Sequence, residues 1–374
     1  QASYGGFSGL HREATLSDYI DMHAYWQHPR FPGKPWDSGN WTIENTSMAA
    51  APTGRSTFER LSAYRLAGRP FSVSEYNHPA PNDHAAELFP MLAAYASHQD
   101  WDALYQFCYG NSVHTFKEPK IAGYFTLGSH SGQLVFAPIA SIIFRQGLIP
   151  PAAATSLLRI PEAALDNNLA EGYLSSGKLA SEGILTPESQ IESRFSVEFV
   201  KDGDAPSLET VPSERPAAVS WQRSENEPCR FLANADAARI AVGEIGGQAL
   251  DLGDLQVTVR PSEGAWAAFA LAAADGQPLA ESKHALLALV TRVENTNMGW
   301  SEDRRTVGRK WGSAPLVAQG VAADLVLPGD DKPRVIALDS QGRPIGDVPV
   351  TGQPGRWTVG LGPQYNTLWY AVER

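Results

Sequence analysis

The sequence predicts two structural classes in one chain: α/β units with parallel strands over residues 1–165, then an all-β region, a β-sandwich, over residues 166–374. Three observations carry this. A strand–loop–helix pattern occurs three times before residue 150. The polar and aromatic residues of that region gather just after each strand, where α/β enzymes keep their working loops. After Pro150-Pro151 short strands alternate with turn signals such as Asp202-Gly203-Asp204, Ala274-Asp275-Gly276 and Ser340-Gln341-Gly342.

In the first unit, Asp18–Trp26 reads as a strand with Tyr19, Asp21, His23 and Tyr25 on one face and Ile20, Met22, Ala24 and Trp26 on the other. A lone histidine is usually a satisfied core residue; with Asp21 and Tyr25 in phase, His23 is read as functional. A long Pro- and Gly-rich loop follows to Pro52 and holds Trp36 and Trp41. Trp26, Trp36 and Trp41 suit stacking on sugar faces; the plainer alternative is that they fold the loop down. Ser56–Leu66 reads as a helix, with Ser56 as N-cap, Glu59 completing a capping box and Gly68 as its stop.

The stretch Phe71–Pro79 is the centre of the argument. It begins as an apolar strand and ends in polar, aromatic and proline residues. Alternation puts Phe71, Val73 and Glu75 on one face and Ser72, Ser74 and Tyr76 on the other. A carboxylate ending an apolar face is costly to bury unless a partner or a reaction compensates. The bland alternative is a loop glutamate paired to a neighbouring cation. A helix over His84–His98, kinked or started late by Pro90, leads to a third strand, Ala103–Tyr109. A loop rich in His, Lys and Glu runs to Pro119, and Pro138–Gln146 closes the unit as a helix capped by Gly147. Helical periodicity is expected to persist to about Leu165. Strands then follow at Arg194–Lys201, Ala217–Trp221, Ala238–Val242, Leu255–Arg260, Ala285–Val293, Val321–Leu327, Arg334–Leu338 and Trp357–Leu361.

Composition excludes several function classes. A net charge of −11 leaves no basic stripe for nucleic acid, and no apolar run reaches membrane-spanning length. Cys108 and Cys229 form neither a zinc pattern nor a disulfide framework. The start, Gln1-Ala2-Ser3-Tyr4, carries no initiator Met or signal features and reads as processed, engineered or truncated. No nucleophile elbow, P-loop, dinucleotide fingerprint or H-E-x-x-H is present, so no metal or cofactor is expected. What remains is carboxylate chemistry of the kind used in glycoside hydrolysis.

The run Asp18-Tyr19-Ile20-Asp21-Met22-His23-Ala24-Tyr25-Trp26, then Val73-Ser74-Glu75-Tyr76, then Phe107-Cys108-Tyr109 resembles the last three strands of a clan A glycoside hydrolase barrel, the cellulase- and mannanase-like enzymes. The resemblance covers about residues 16–165. It implies a partial (β/α) TIM-type barrel followed by the sandwich, and retaining hydrolysis of a neutral β-linked glucan or hemicellulose, a cellulase-like activity. It further implies Glu75 as nucleophile, Tyr25 as its hydrogen-bond donor and His23 as a nucleophile or substrate contact. Trp26, Tyr76 and Tyr109 become subsite aromatics. Together with Trp36, Trp41 and His78 they make the substrate-binding set. A secreted or periplasmic bacterial setting is the first expectation, although the terminus does not encode one.

The sequence departs from that pattern in one respect. Nothing before Asp18 can hold earlier strands with a general acid/base, and Asn226-Glu227 falls in the sandwich region. The chain then reads as a fragment, as an enzyme whose second carboxylate is Asp37, Glu44, Asp83 or Glu118 or comes from another subunit, or as a carbohydrate-binding remnant without catalysis. A third alternative makes the sandwich the module that binds polymer. Open sheet edges would favour association with a second copy that completes the barrel.

Overall fold

In a computed structural model of the chain, which describes residues 4–110, 119–167, 173–224, 226–260 and 265–374, strands β1 (Ile20–Tyr25), β2 (Phe71–Asn77) and β3 (Ala103–Gln106) form a parallel sheet in that order. β1 alternates buried and half-buried residues along its whole length, the signature of a strand with one face in a core. Ile20, Met22 and Ala24 face inward, as the alternation predicts.

β2 departs from simple alternation. Met22 pairs with Val73 but His23 pairs with Glu75, so Ser74 is an extra residue in β2. The same two-for-one mismatch recurs against β3, where the register shifts between Val73 and Tyr76. A bulge of this kind re-aims the residues that follow it. Ser74 and Glu75 are consequently both half-buried on the face that carries His23 and Tyr25, while Tyr76 turns into the core. The expected grouping of Glu75 with Phe71 and Val73 is thereby corrected.

Helix α1 (Gly6–Leu16) precedes β1, and the short α2 (Thr57–Ser62) precedes β2. Ser56 and Glu59 make both halves of a capping box at the start of α2. A 3₁₀ turn at Ala85–Glu87 runs into α3 (Leu88–His98), so Pro90 sits in the first helical turn and the helix starts late. The short α4 (Ser131–Leu134) is followed by α5 (Ala137–Gln146), which ends on Gly147 in the left-handed conformation (φ 64°).

The expectation of a partial TIM-type barrel followed by a sandwich is corrected here. The molecule is mainly strand, and its largest element is an antiparallel sheet of eight strands. In spatial order these are Pro344–Val348, Arg334–Leu338, Trp369–Glu373, His284–Val290, Trp266–Ala273, Ala238–Glu244, Arg230–Ala235 and Val219–Gln222. A five-stranded antiparallel sheet runs Ala249–Leu252, Leu255–Val259, Ala323–Leu327, Arg356–Leu361 and Val350–Gln353. Parallel pairing among the described strands is confined to β1–β2–β3 and to β4 (Thr155–Pro161) with β5 (Arg194–Val200). β4 also pairs antiparallel with β6 (Ser207–Val211), where the sequence pattern reads as helix.

The physical reason lies in α3 and α5. The outer helices of a barrel turn one face to water. α3, in contrast, is buried almost all round: Leu88, Pro90, Met91, Leu92, Ala93, Ala94, Tyr95 and Ala96 are all inaccessible or nearly so. On one side its Tyr95 ring meets Phe58 at 4.9 Å and Trp101 at 5.6 Å. On the other, α3 and α5 lie against the large sheet, touching Ala238–Glu244 and Trp266–Ala273. The alanines of Trp-Ala-Ala-Phe-Ala-Leu-Ala-Ala, almost wholly buried, leave room for that approach. One continuous apolar core runs from Phe7 to Val372.

Candidate active site

β1 and β2 gather five polar side chains in a cluster beside Glu75. Tyr25 donates its phenolic proton to Glu75 Oε2 at 2.5 Å. His23 Nδ1 stands 3.3 Å from the same oxygen. His23 Nε2 lies 2.8 Å from Ser74 Oγ and 3.4 Å from Asp21 Oδ2. Asp21 accepts from Ser72 Oγ and from Ser74 Oγ, each at 2.6 Å. Both contacts made by the glutamate converge on Oε2. Oε1 has no partner among the described residues, and the side chain is about a third exposed (32%). Burial pushes the Tyr25 phenol far above its ordinary value, and the hydrogen bond to Glu75 and that carboxylate's charge push it the same way. It therefore stays a donor at any physiological pH. Burial first, and then the Glu75 charge, also raises the Cys108 thiol just after β3.

An aromatic wall rises beside this cluster. Phe125 meets the Tyr25 ring edge-on at 5.0 Å and His28 at 5.4 Å; Phe107 lies 6.0 Å from Tyr25. His28 in turn meets Trp36 at 5.6 Å, and Trp36 packs on Phe31 at 5.0 Å. Trp36 stays largely exposed (59%), so much of the indole is within reach of a ligand. Asn77 fixes the wall from below, its Nδ2 donating to the carbonyls of Phe107 and Phe125. Phe125 and Asn77 were not singled out in the sequence: Phe125 lies in an irregular stretch, and neither carries a motif.

The other expected substrate contacts divide. Tyr109 is exposed at the end of the segment after β3, and Trp26 is half-buried, with its indole N–H on the Thr46 carbonyl at 2.9 Å. Trp41 is buried, stacked on Trp311 at 5.8 Å and bonded to the Ser38 and Gly308 carbonyls. It belongs to a small separate core with Ile43 and Val307. For Trp41 the alternative of folding the loop describes its position. Tyr76 and His78 are fully buried and lie away from the face that carries Glu75. Tyr76 Oη contacts Thr57 Oγ1 at 2.9 Å and His78 Nε2 at 3.0 Å. His78 Nδ1 faces the buried Glu87 carboxylate at 3.4 Å. Glu87 also accepts from Ser47 Oγ and the Met48 N–H, each at 2.6 Å. This is a buried polar network behind the site, in which His78 Nδ1 lies beside the Glu87 carboxylate without a hydrogen bond to it.

The carboxylates proposed as a second catalytic group are placed as follows. Asp83 is clamped by Arg304 at 2.6 and 2.8 Å, and Glu44 pairs with Arg305 at 2.9 Å. Asp37 caps the Gly39 N–H at 2.9 Å, and its charge helps burial hold the Tyr124 phenol up at about 12. Glu227, which the sequence places outside that set, is bonded to Gln222 on an exposed part of the large sheet's edge. Glu118 and most of the His-, Lys- and Glu-rich loop lie outside the described residues. Among the described residues no group of three His, Cys, Asp or Glu side chains is arranged to hold a metal ion.

Comparison with protein families, with curated proteins and with solved structures finds no match to this chain.

Proposed function

We propose that the protein is a retaining glycoside hydrolase acting on a neutral β-linked glucan or hemicellulose, with Glu75 as its nucleophile. One observation carries the reading: Glu75 presents one unpartnered oxygen, Oε1, while Tyr25 donates to the other, with His23 Nδ1 3.3 Å from it. That is the geometry of an oriented carboxylate nucleophile. In the first step the Oε1 lone pair forms a bond to the anomeric carbon while the leaving-group oxygen departs with the bonding electron pair and takes a proton from water. In the second, a water oxygen bonds to the anomeric carbon, the ester C–O bond breaks and returns its electron pair to Glu75, and the proton lost by that water passes to solvent. The aromatic wall of Phe125, Phe107 and Trp36 offers apolar faces to pyranose C–H groups. The net charge of −11 disfavours an anionic polymer.

The test uses aryl glycosides with a strongly acidic phenol, whose departure needs little help from a general acid. Incubation with 2,4-dinitrophenyl 2-deoxy-2-fluoro-β-glucoside, -mannoside and -xyloside, followed by peptide mass spectrometry, should place one sugar on the peptide containing Glu75. Labelling elsewhere, or none with any of the three, contradicts the assignment. Oligosaccharide binding without labelling or turnover would point instead to a carbohydrate-binding protein.

A further inference from the structure

Tyr124 stands where the aromatic wall beside Glu75 meets the all-β half of the chain. Its ring lies 6.3 Å from Phe125 and 6.4 Å from Trp36, both members of the wall. It also meets Trp41 at 5.0 Å, Trp311 at 5.5 Å and Phe31 at 5.8 Å, so aromatic neighbours fix the ring from several directions. The hydroxyl is not fixed in this way. Tyr124 is only half-buried, and its Oη has no hydrogen-bond partner among the described residues. Burial first, and then the Asp37 charge, holds the phenol at about 12, so at neutral pH it offers both a donor and an acceptor. A tyrosine packed among apolar rings usually engages its O–H; here that end is left for a ligand.

Residues 119–130, which carry Tyr124 and Phe125, belong to no helix or strand. The all-β half supplies the support that a ladder would give. Asn295, 1% exposed, accepts from the Ile121 N–H and donates to the Ile121 carbonyl, each at 2.8 Å. Its second amide hydrogen goes to the Trp311 carbonyl at 2.7 Å. One side chain thus ties the segment bearing Tyr124 to the residue that meets Tyr124 edge-on.

The geometry points to Tyr124 as a further ligand-binding residue, whose hydroxyl hydrogen-bonds a sugar hydroxyl, with Asn295 as the positioning residue that holds it there from the all-β half. A neutral polyhydroxylated ring fits the parts: apolar C–H faces against Trp36 and Phe125, and a hydroxyl against Tyr124. The all-β half is then part of the binding site itself and not a separable module. This inference rests on the ligand being a carbohydrate, as the proposed function has it, but not on Glu75 acting as nucleophile.

The experiment is calorimetric titration of cello-, manno- and xylo-oligosaccharides into the full chain carrying Glu75→Gln, so that the sugar is not consumed. Adding Tyr124→Phe keeps the ring and removes only the hydroxyl. It should weaken binding of the preferred sugar by about 3- to 10-fold. The melting temperature should not move, because the hydroxyl has no partner in the free protein. Equal affinities, or no binding of any of the three sugars before that change, would overturn the inference. Asn295→Ala should weaken binding further, and Tyr124→Phe added to it should then change affinity little, since a displaced hydroxyl has nothing left to lose. Losses that simply add would overturn the positioning role of Asn295. If Asn295→Ala does not fold, Asn295→Asp, which keeps the acceptor for the Ile121 N–H, takes its place in the cycle. Binding that depends on Tyr124, with no turnover by the wild type, would sink the hydrolase reading and leave this one standing.

Discussion

Tyr25 and Glu75, fifty residues apart on adjacent parallel strands, share a hydrogen bond of 2.5 Å that ends on Oε2 and leaves Oε1 open. The phenol cannot release its proton at physiological pH, because burial and the neighbouring carboxylate both hold it there. Tyr25→Phe removes one charge-assisted hydrogen bond worth roughly 1.5–3 kcal/mol. Turnover of a responsive aryl glycoside should therefore fall by about 10- to 100-fold, with the melting temperature little changed. Steady-state kinetics and a thermal melt on the same sample check this.

Trp36 and Trp41 should behave in opposite ways. Trp36 is mostly exposed, so Trp36→Ala should change stability by less than about 0.5 kcal/mol while raising KM for an oligosaccharide several-fold. Trp41 is buried against Trp311 and hydrogen-bonded at its indole nitrogen. Trp41→Ala should cost about 3–5 kcal/mol. Urea denaturation of both variants, with oligosaccharide titrations, separates the two roles.

Glu59 gives the fold a pH dependence. Burial pushes its carboxyl up, but two hydrogen bonds from Arg223 at 2.8 and 3.0 Å, with that cation's charge and further bonds from Ser56 and the Gly54 N–H, outweigh burial. The net result is a folded-state pKa below the ordinary 4.5. A carboxyl that binds its proton less tightly when folded stabilises the fold above its unfolded pKa, and that contribution is lost as pH falls through the folded value. Stability measured by denaturant at neutral pH should thus exceed that under acid conditions. In Glu59→Gln this part of the difference should vanish.

The same pair predicts an asymmetry between single and double substitution. Arg223→Ala leaves a carboxylate 2% exposed without its cation and should cost about 3–5 kcal/mol at pH 7. Replacing both partners, as in Glu59→Gln with Arg223→Met, should cost less than Arg223→Ala alone. A denaturation series over the three variants tests this; a double variant no more stable than Arg223→Ala would contradict it.

Local signals were legible where chemistry acts over a few residues. The Ser56–Glu59 capping box, the left-handed Gly147 after α5 and the alternation of β1 all follow from short-range physics and stand where the sequence puts them. The approach of Tyr25 and His23 to Glu75 was legible only through the family resemblance, because alternation alone groups Glu75 with Phe71 and Val73. Longer-range features were not. The extra residue at Ser74 cannot be seen in alternation, since a bulge depends on the neighbouring strand's register. β4 has helical periodicity on its own and becomes a strand because β5 and β6 pair with both its edges. The barrel expectation failed in the same way. α3 carries apolar residues all round, and only a second sheet behind it, far away in the chain, explains why.

The measurement that tests the account most directly compares the intact chain and its Glu75→Gln variant on aryl β-glucosides, β-mannosides and β-xylosides, together with soluble β-glucans, mannans and xylans. The account predicts release of phenol or reducing sugar from at least one of them, lowered in Glu75→Gln by a factor on the order of 10³ or more with the fold intact. Equal rates in the two proteins, or no hydrolysis of any substrate by the wild type, would contradict it.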